Sequence, residues 1–261
     1  MTALTGATLA DVGVDAVALK PTEVDVRRAS GLSVGTLTID YEGREHVPAP
    51  ATLREIAAER DLRVTVPVRA DGFDPHGDDD LLRSLPDEIG TVAVAGNPAY
   101  LDVRECRRAI APRLRKVASR ADDPWVGTES VERVALAVGG TQYDLLSGTT
   151  EAEVRALRSA GFDGDVAVYA PLVLTDDEDT VLDALGAYAG RRPDVRERLP
   201  ADSPTDGRAT GEAREALLAG CRRYALAGDV GTVSARVDDL HEAGIDHVVA
   251  YPARGLDPVL G

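Results

Sequence analysis

Eight short apolar runs, each three to seven residues long and separated by helix-like stretches, constrain this chain more than any other feature. They are Val14–Leu19, Val34–Ile39, Leu62–Val68, Thr91–Ala95, Trp125–Gly127, Tyr143–Leu146, Val166–Ala170 and His247–Tyr251. Near-continuous runs such as VDAVAL suit parallel strands buried on both faces. Between them lie segments with helical spacing. Val131, Val134, Ala135 and Val138 fall at i, i+3, i+4 and i+7, and Gly139-Gly140 closes that helix. Eight alternations in 261 residues predict a (β/α)8 barrel. An open doubly wound sheet is the alternative, and both place their chemistry at the carboxyl ends of the strands.

A single barrel domain spanning 1–261 is expected, with an insertion over about 172–230, between the last two strands. Thr52 with Glu55, Thr150 with Glu153 and Thr175 with Glu178 predict capping boxes that open helices. Pro67 weakens the interior pairing of the third strand. A helix is expected from about Tyr100 to Ala118, kinked or split at Pro112. Its Arg104, Arg107, Arg108, Arg113, Arg115 and Lys116 are expected on a solvated outer face, paired with nearby acids. The loop RADGFDPHGDDD before it reads as acidic and mobile. Asp74, His76 and Asp78–Asp80 within it are taken as solvated rather than as a metal site.

The core must come from Val, Ala and Leu, because the chain is 44% hydrophobic but only 4% aromatic. The formal net charge is −16, and two lysines, Lys20 and Lys116, stand against 27 arginines. Such acidity with so little lysine predicts a protein of a high-salt cytoplasm, where salt screens self-repulsion. It also argues against a nucleic-acid partner. Cys106 and Cys221 form no CxxC motif, and neither a disulfide scaffold nor zinc is expected. No stretch approaches the roughly 20 apolar residues of a membrane helix. The first fifteen residues lack the basic start and apolar run of a signal peptide. A cytoplasmic protein that does not engage membranes is the expectation.

The strand ends supply the candidate chemistry: Lys20, Asp40, Arg69, Asn97, the Gly127–Ser130 turn, Ser147, Tyr169, Tyr251 and Arg254. In a barrel they converge on one mouth. Lys20, Asp40 and Tyr251 are the catalytic candidates, with Lys20 either an anion or carbonyl contact or a rim residue. Gly127-Thr128-Glu129-Ser130 opens a helix, and the free N–H groups there favour an anion. Glu129 opposes one, and Thr128 or Ser130 as a plain helix cap is the competing reading. His46, His241 and His247 have no sequence partner, and no G-x-S-x-G, P-loop or G-x-G-x-x-G occurs.

From Pro124 to Gly261 the order of segments resembles the luciferase-like monooxygenase superfamily, which includes deazaflavin-dependent oxidoreductases such as methylenetetrahydromethanopterin reductase. VGTESVERVALAVGGTQYDLLSGTTEAEVRAL, then DVAVYAPLVLTDDED, then YALAGDVGTVSARVDDLHEAGIDHVVAYP carry the likeness. Gln142-Tyr143 departs from it, where the family has Asp-Gly. The resemblance implies a (β/α)8 barrel, commonly dimeric, that binds FMN or coenzyme F420 at its C-terminal mouth. It implies a cofactor phosphate near Gly127, Thr128 and Ser130, while Arg69 and Asn97, outside the matching half, are cofactor-binding candidates as strand-end residues of the same mouth. The expected reaction is hydride transfer from reduced deazaflavin to a small substrate. A barrel that has lost the cofactor and acts as a binding or regulatory protein is the alternative. A third reading is an aldolase-like enzyme forming a Schiff base on Lys20.

Overall fold

The computed structural model describes residues 9–98 and 101–260. In chain order the elements are β1 (Ala16–Leu19), β2 (Thr36–Ile39), α1 (Pro50–Ala57), β3 (Asp61–Pro67), α2 (Asp80–Ser84) and β4 (Gly90–Val94). Then come α3 (Val103–Cys106), α4 (Ala111–Ala118), β5 (Trp125–Gly127), α5 (Glu132–Val138), β6 (Thr141–Leu145), α6 (Thr150–Ser159) and β7 (Val166–Leu174). The chain ends with α7 (Glu178–Gly190), α8 (Pro193–Arg196), α9 (Gly211–Tyr224), β8 (Leu226–Gly228), α10 (Val230–Glu242) and β9 (His247–Pro252).

Strands β1 to β7 pair in sequence order, all parallel, and β9 closes the ring between β7 and β1. The expected (β/α)8 barrel is therefore the observed architecture. Alternation divides each strand. Val17, Leu19, Leu37, Ile39, Val64, Val166, Val168 and Val248 point out beneath the helices. Ala16, Ala18, Val92, Trp125, Tyr143, Ala167, Tyr169 and Val249 point in. Both faces are dry, which is why the runs read as continuously apolar. Four aromatic side chains, Trp125, Tyr143, Tyr169 and Tyr251, stand inside the ring, where small alanines on β1 and β7 leave room for them.

The ninth strand was not foreseen. β8 lies in the stretch LAGDVGT, outside the eight apolar runs read as strands. It pairs with Leu172–Leu174, the part of β7 that runs on past β6. A three-residue strand on a strand extension has no periodicity of its own, so only the partner makes it visible. Among the described residues no helix is long and apolar enough to cross a membrane, and Cys106 and Cys221 are both free.

The helix starts differ from the capping boxes expected. α1 begins at Pro50 with Ala49 as its cap, and Thr52 is buried one turn in. Proline's fixed φ sets the first turn there. Thr149 precedes α6, and the Thr150 hydroxyl accepts from the Ser147 amide at 2.8 Å. α7 is capped by Asp177, which accepts from Thr180 N at 2.8 Å, while Thr175 Oγ1 accepts from Asp177 N. A T-x-x-E pattern marks a polar start but not its register. Pro67 closes β3 instead of interrupting it. Pro112 does split the basic helix, entering at the start of α4. The expected start at Tyr100 lies outside the described residues.

The acidic loop after β3 is held in place. Phe73 is fully buried and meets Tyr41 edge-on, with ring centroids 5.1 Å apart. Asp74 pairs with Arg113 at 3.0 Å and Arg108 at 3.5 Å, and Asp71 binds Arg108 and Arg104. The arginines do pair with acids, as expected, but Arg108 and Arg113 do so out of solvent. Partners more than thirty residues apart cannot be matched by local patterning. Among the described residues no three His, Cys, Asp or Glu side chains are placed to share a metal ion.

Candidate functional site at the barrel mouth

Lys20 and Asp40 follow directly on β1 and β2, which pair Leu19 with Ile39, so the two residues leave the sheet side by side. The Asp40 amide donates to Leu19 O at 2.8 Å and anchors that exit. Across the barrel, Tyr169 of β7 sits beside Val249 of β9, and Tyr251 lies two residues higher. Their rings stack at 6.1 Å with a 10° interplanar angle. Tyr169 Oη donates to Asp40 Oδ2 at 3.4 Å. Lys20 Nζ lies 3.8 Å from the centre of the Tyr251 ring and 3.6 Å from Glu23 Oε1. Glu23 also accepts from Tyr251 Oη. Glu42 accepts from the Thr22 amide and hydroxyl at 2.8 and 2.6 Å, tying the first two strand-end loops together.

Below this layer Tyr143 of β6 packs edge-to-face on Tyr169, 6.3 Å between centroids. β6 and β2 stand opposite each other in the ring of eight, so Tyr143 spans the interior. Its hydroxyl ends beside Thr38, two residues before Asp40 on the same face of β2. Deeper still, Trp125 meets Tyr143, His247 and the Arg63 guanidinium.

Burial pushes the Asp40 carboxyl up to about 7. Lys20 opposes that shift, Glu42 and Glu23 add to it, and the Tyr169 hydrogen bond lowers it. Burial likewise raises Tyr169 and Tyr143 well above the ordinary phenol value, so both stay protonated donors.

This has a consequence for stability. Between about pH 4 and 7 the native Asp40 binds a proton that the unfolded chain has lost, so its contribution falls as pH rises through that window. Asp40→Asn should therefore gain on wild type by roughly 2 kcal/mol between pH 4 and pH 8, less than the full linkage because residue 40 keeps some solvent exposure. Urea melts at the two pH values measure the difference. A constant gap would show that Asp40 titrates normally.

The three catalytic candidates, Lys20, Asp40 and Tyr251, thus meet in one cluster. Of the five cofactor candidates, Arg69 and Thr128 spend their donors elsewhere. Arg69 donates to Ala95 O, Cys106 O and Gly96 O at 2.7 to 2.9 Å, stapling the loops after β3 and β4. Asn97 is exposed beyond the end of β4. Thr128 N donates to Tyr143 O, and its hydroxyl donates to Asp144 Oδ1 at 2.6 Å. Burial raises the Asp144 carboxyl, with Glu153 and Glu132 adding to the rise. Ser130 takes a left-handed φ of 62°, and α5 starts only at Glu132. An acidic turn whose threonine already serves a carboxylate does not fit a cofactor phosphate.

Gly127 has a different reason to be glycine. A Cβ there would lie 2.8 Å from Val94 Cγ1 inside the barrel. Gly127→Ala should cost about 1–3 kcal/mol through overpacking, measured by thermal melting. A neutral result would show that Val94 can step aside.

Sequence reading missed Thr38, Glu23, Glu42 and Tyr143 as members of the mouth. A threonine inside an apolar strand two residues before an aspartate was a usable signal. Tyr143 stood out only as a departure from the family pattern.

The sequence matches a family model over residues 9–259, described as "Family of unknown function (DUF7388)". No curated protein matches it.

Proposed function

We propose, for a chain that belongs to the DUF7388 family, that the barrel is a small-molecule enzyme whose mouth moves a proton at Asp40. One observation carries this: a carboxyl set between the Tyr169 hydroxyl and the Lys20 side, and pushed to about 7. At neutral pH such a group is populated in both protonation states, as a general acid or base needs. Lys20 is engaged as a cation by Glu23 and by the Tyr251 ring. It is suited to stabilise negative charge developing on a substrate. That engagement speaks against its use as a free amine in a Schiff base.

A second reading is a flavin- or deazaflavin-dependent oxidoreductase, with Asp40 as its proton partner. It draws support from the run β5-α5-β6-α6-β7 and the closing pair α10-β9, which follow the order of the luciferase-like resemblance. It requires a phosphate site other than the turn after β5. The two readings separate in one experiment in molar KCl. FMN and coenzyme F420 are titrated by absorbance and fluorescence, while small oxo and hydroxy compounds are screened by thermal shift. Cofactor binding selects the oxidoreductase. Stabilisation by small compounds that is lost in Asp40→Ala supports the cofactor-free site. If nothing distinguishes wild type from Asp40→Ala, the Asp40 reading falls.

A further inference from the structure

Directly under Asp40 are two side chains of the mouth whose hydroxyls make no hydrogen bond of normal geometry to the rest of the cluster. Thr38 is 0% and Tyr143 6% exposed. Thr38 Oγ1 and Tyr143 Oη lie beside each other, close enough to interact, but neither makes a hydrogen bond of normal geometry to the other or to any other described group. A buried hydroxyl without a good partner is costly, and two together beneath an ionisable carboxyl call for an explanation. Tyr143 is held where it is by Trp125 on one side and Tyr169 on the other, at 5.7 and 6.3 Å. Ala16, Ala18 and Ala167 line the same interior with no side chain beyond Cβ and offer the two hydroxyls no partner. Both hydroxyls are neutral donors, so they match one uncharged oxygen atom rather than a phosphate or an ammonium group.

We infer that Thr38 and Tyr143 form a buried oxygen subsite that holds the carbonyl of a small aldehyde or ketone, with its α-carbon turned toward Asp40. The inference rests on the proton-transfer reading of the mouth and adds the substrate class and its orientation. The step is enolisation. The Asp40 carboxylate takes the α-proton, the C–H electron pair forms the C=C bond, and the carbonyl π pair moves onto the oxygen. That oxygen receives hydrogen bonds from Tyr143 Oη and Thr38 Oγ1. Return of a proton to carbon restores the ketone, and no oxidant or reductant is consumed. The groups facing Asp40 from the other elements are Lys20 on β1's exit, Glu23 and Glu42 on the loops, and Tyr169 on β7. They set when it accepts a proton.

The probes are hydroxyacetone and glycolaldehyde in D2O with the full chain in molar KCl, and proton NMR follows deuterium uptake at the α-carbon. Wild type should exceed Asp40→Asn by roughly 100-fold or more. Tyr143→Phe should lose about 100-fold and Thr38→Val about tenfold, while the apparent pKa of the rate profile stays near that of wild type. Circular dichroism and melting temperature confirm that each variant is folded. If both variants exchange at the wild-type rate while Asp40→Asn does not, the hydroxyl pair is structural, and only the Asp40 reading survives. If wild type is no faster than Asp40→Asn on either probe, the carbonyl subsite is overturned, and the thermal-shift comparison decides the Asp40 reading separately.

Discussion

Replacing Trp125 with alanine should cost about 3–5 kcal/mol of folding stability. The indole is 2% exposed and is the largest fully buried side chain. It contacts Tyr143 and His247 at ring separations of 5.7 and 5.4 Å, and the Arg63 guanidinium lies 4.6 Å from its centre. Its removal leaves a cavity in the middle of a closed ring that cannot collapse without bending strands. It also strips one face of Arg63, whose other contacts are Asp61 and Asp123. At this chain length the melting temperature should fall by roughly 10 °C, read by circular dichroism because the variant has lost its only tryptophan. Trp125→Phe should recover more than half of the loss. A cost below about 1 kcal/mol would mean that the interior is loosely packed, and it would remove the support assigned to Tyr143.

Asp74→Ala is expected to cost about 2–4 kcal/mol. The side chain is nearly buried and faces Arg113 and Arg108, themselves only 15% and 14% exposed. Alanine would leave the Arg113 guanidinium without its carboxylate in a dry loop, while Arg108 would keep Asp71 alone. Burial pushes the Asp74 carboxyl up, but the Arg113 bond, the His76 amide and both guanidinium charges outweigh it and leave the group below its ordinary value. Its stabilisation is therefore full at neutral pH and is lost as pH falls through the lowered folded value. Because the arginines are shielded, most of the loss should persist in molar KCl. Removing the exposed Arg104, which meets Asp71 at 2.6 Å, should cost well under 1 kcal/mol and less still in high salt. Paired melts in low and high KCl test both. Equal salt sensitivity of the two variants would show that the loop clamp is an ordinary surface pair.

The mouth shows where sequence reading reaches its limit. Lys20, Asp40 and Tyr251 were found because a parallel barrel brings every strand end to one rim, a rule that needs only the strand count. The phosphate turn at Gly127 was a fair inference from local chemistry, since glycine followed by Thr and Ser at a helix start often meets an anion. Its meaning depends on Val94 and Asp144, which come from other strands. Glu129 was the one local sign against it. Likewise the pairing of Asp71 and Asp74 with Arg104, Arg108 and Arg113 depends on contacts across thirty to forty residues of chain, so loop and helix each read as solvated when taken alone.

While closure into a ring rather than an open sheet came with the β9 pairings, the sequence by itself determined the alternation of eight strands with helices, their parallel pairing and the strand ends where polar residues gather. These follow from periodicity and strand burial, which act over a few residues at a time. Only the tertiary structure decided what those polar residues are to one another. It set Tyr169 against Asp40, brought Tyr143 across the interior to Thr38, and turned the acidic loop inward onto arginines. Those relations depend on register and on side chains reaching across the ring from opposite strands. A carboxyl's proton affinity is set by the charges and dielectric around it in space, and no stretch of sequence contains that environment.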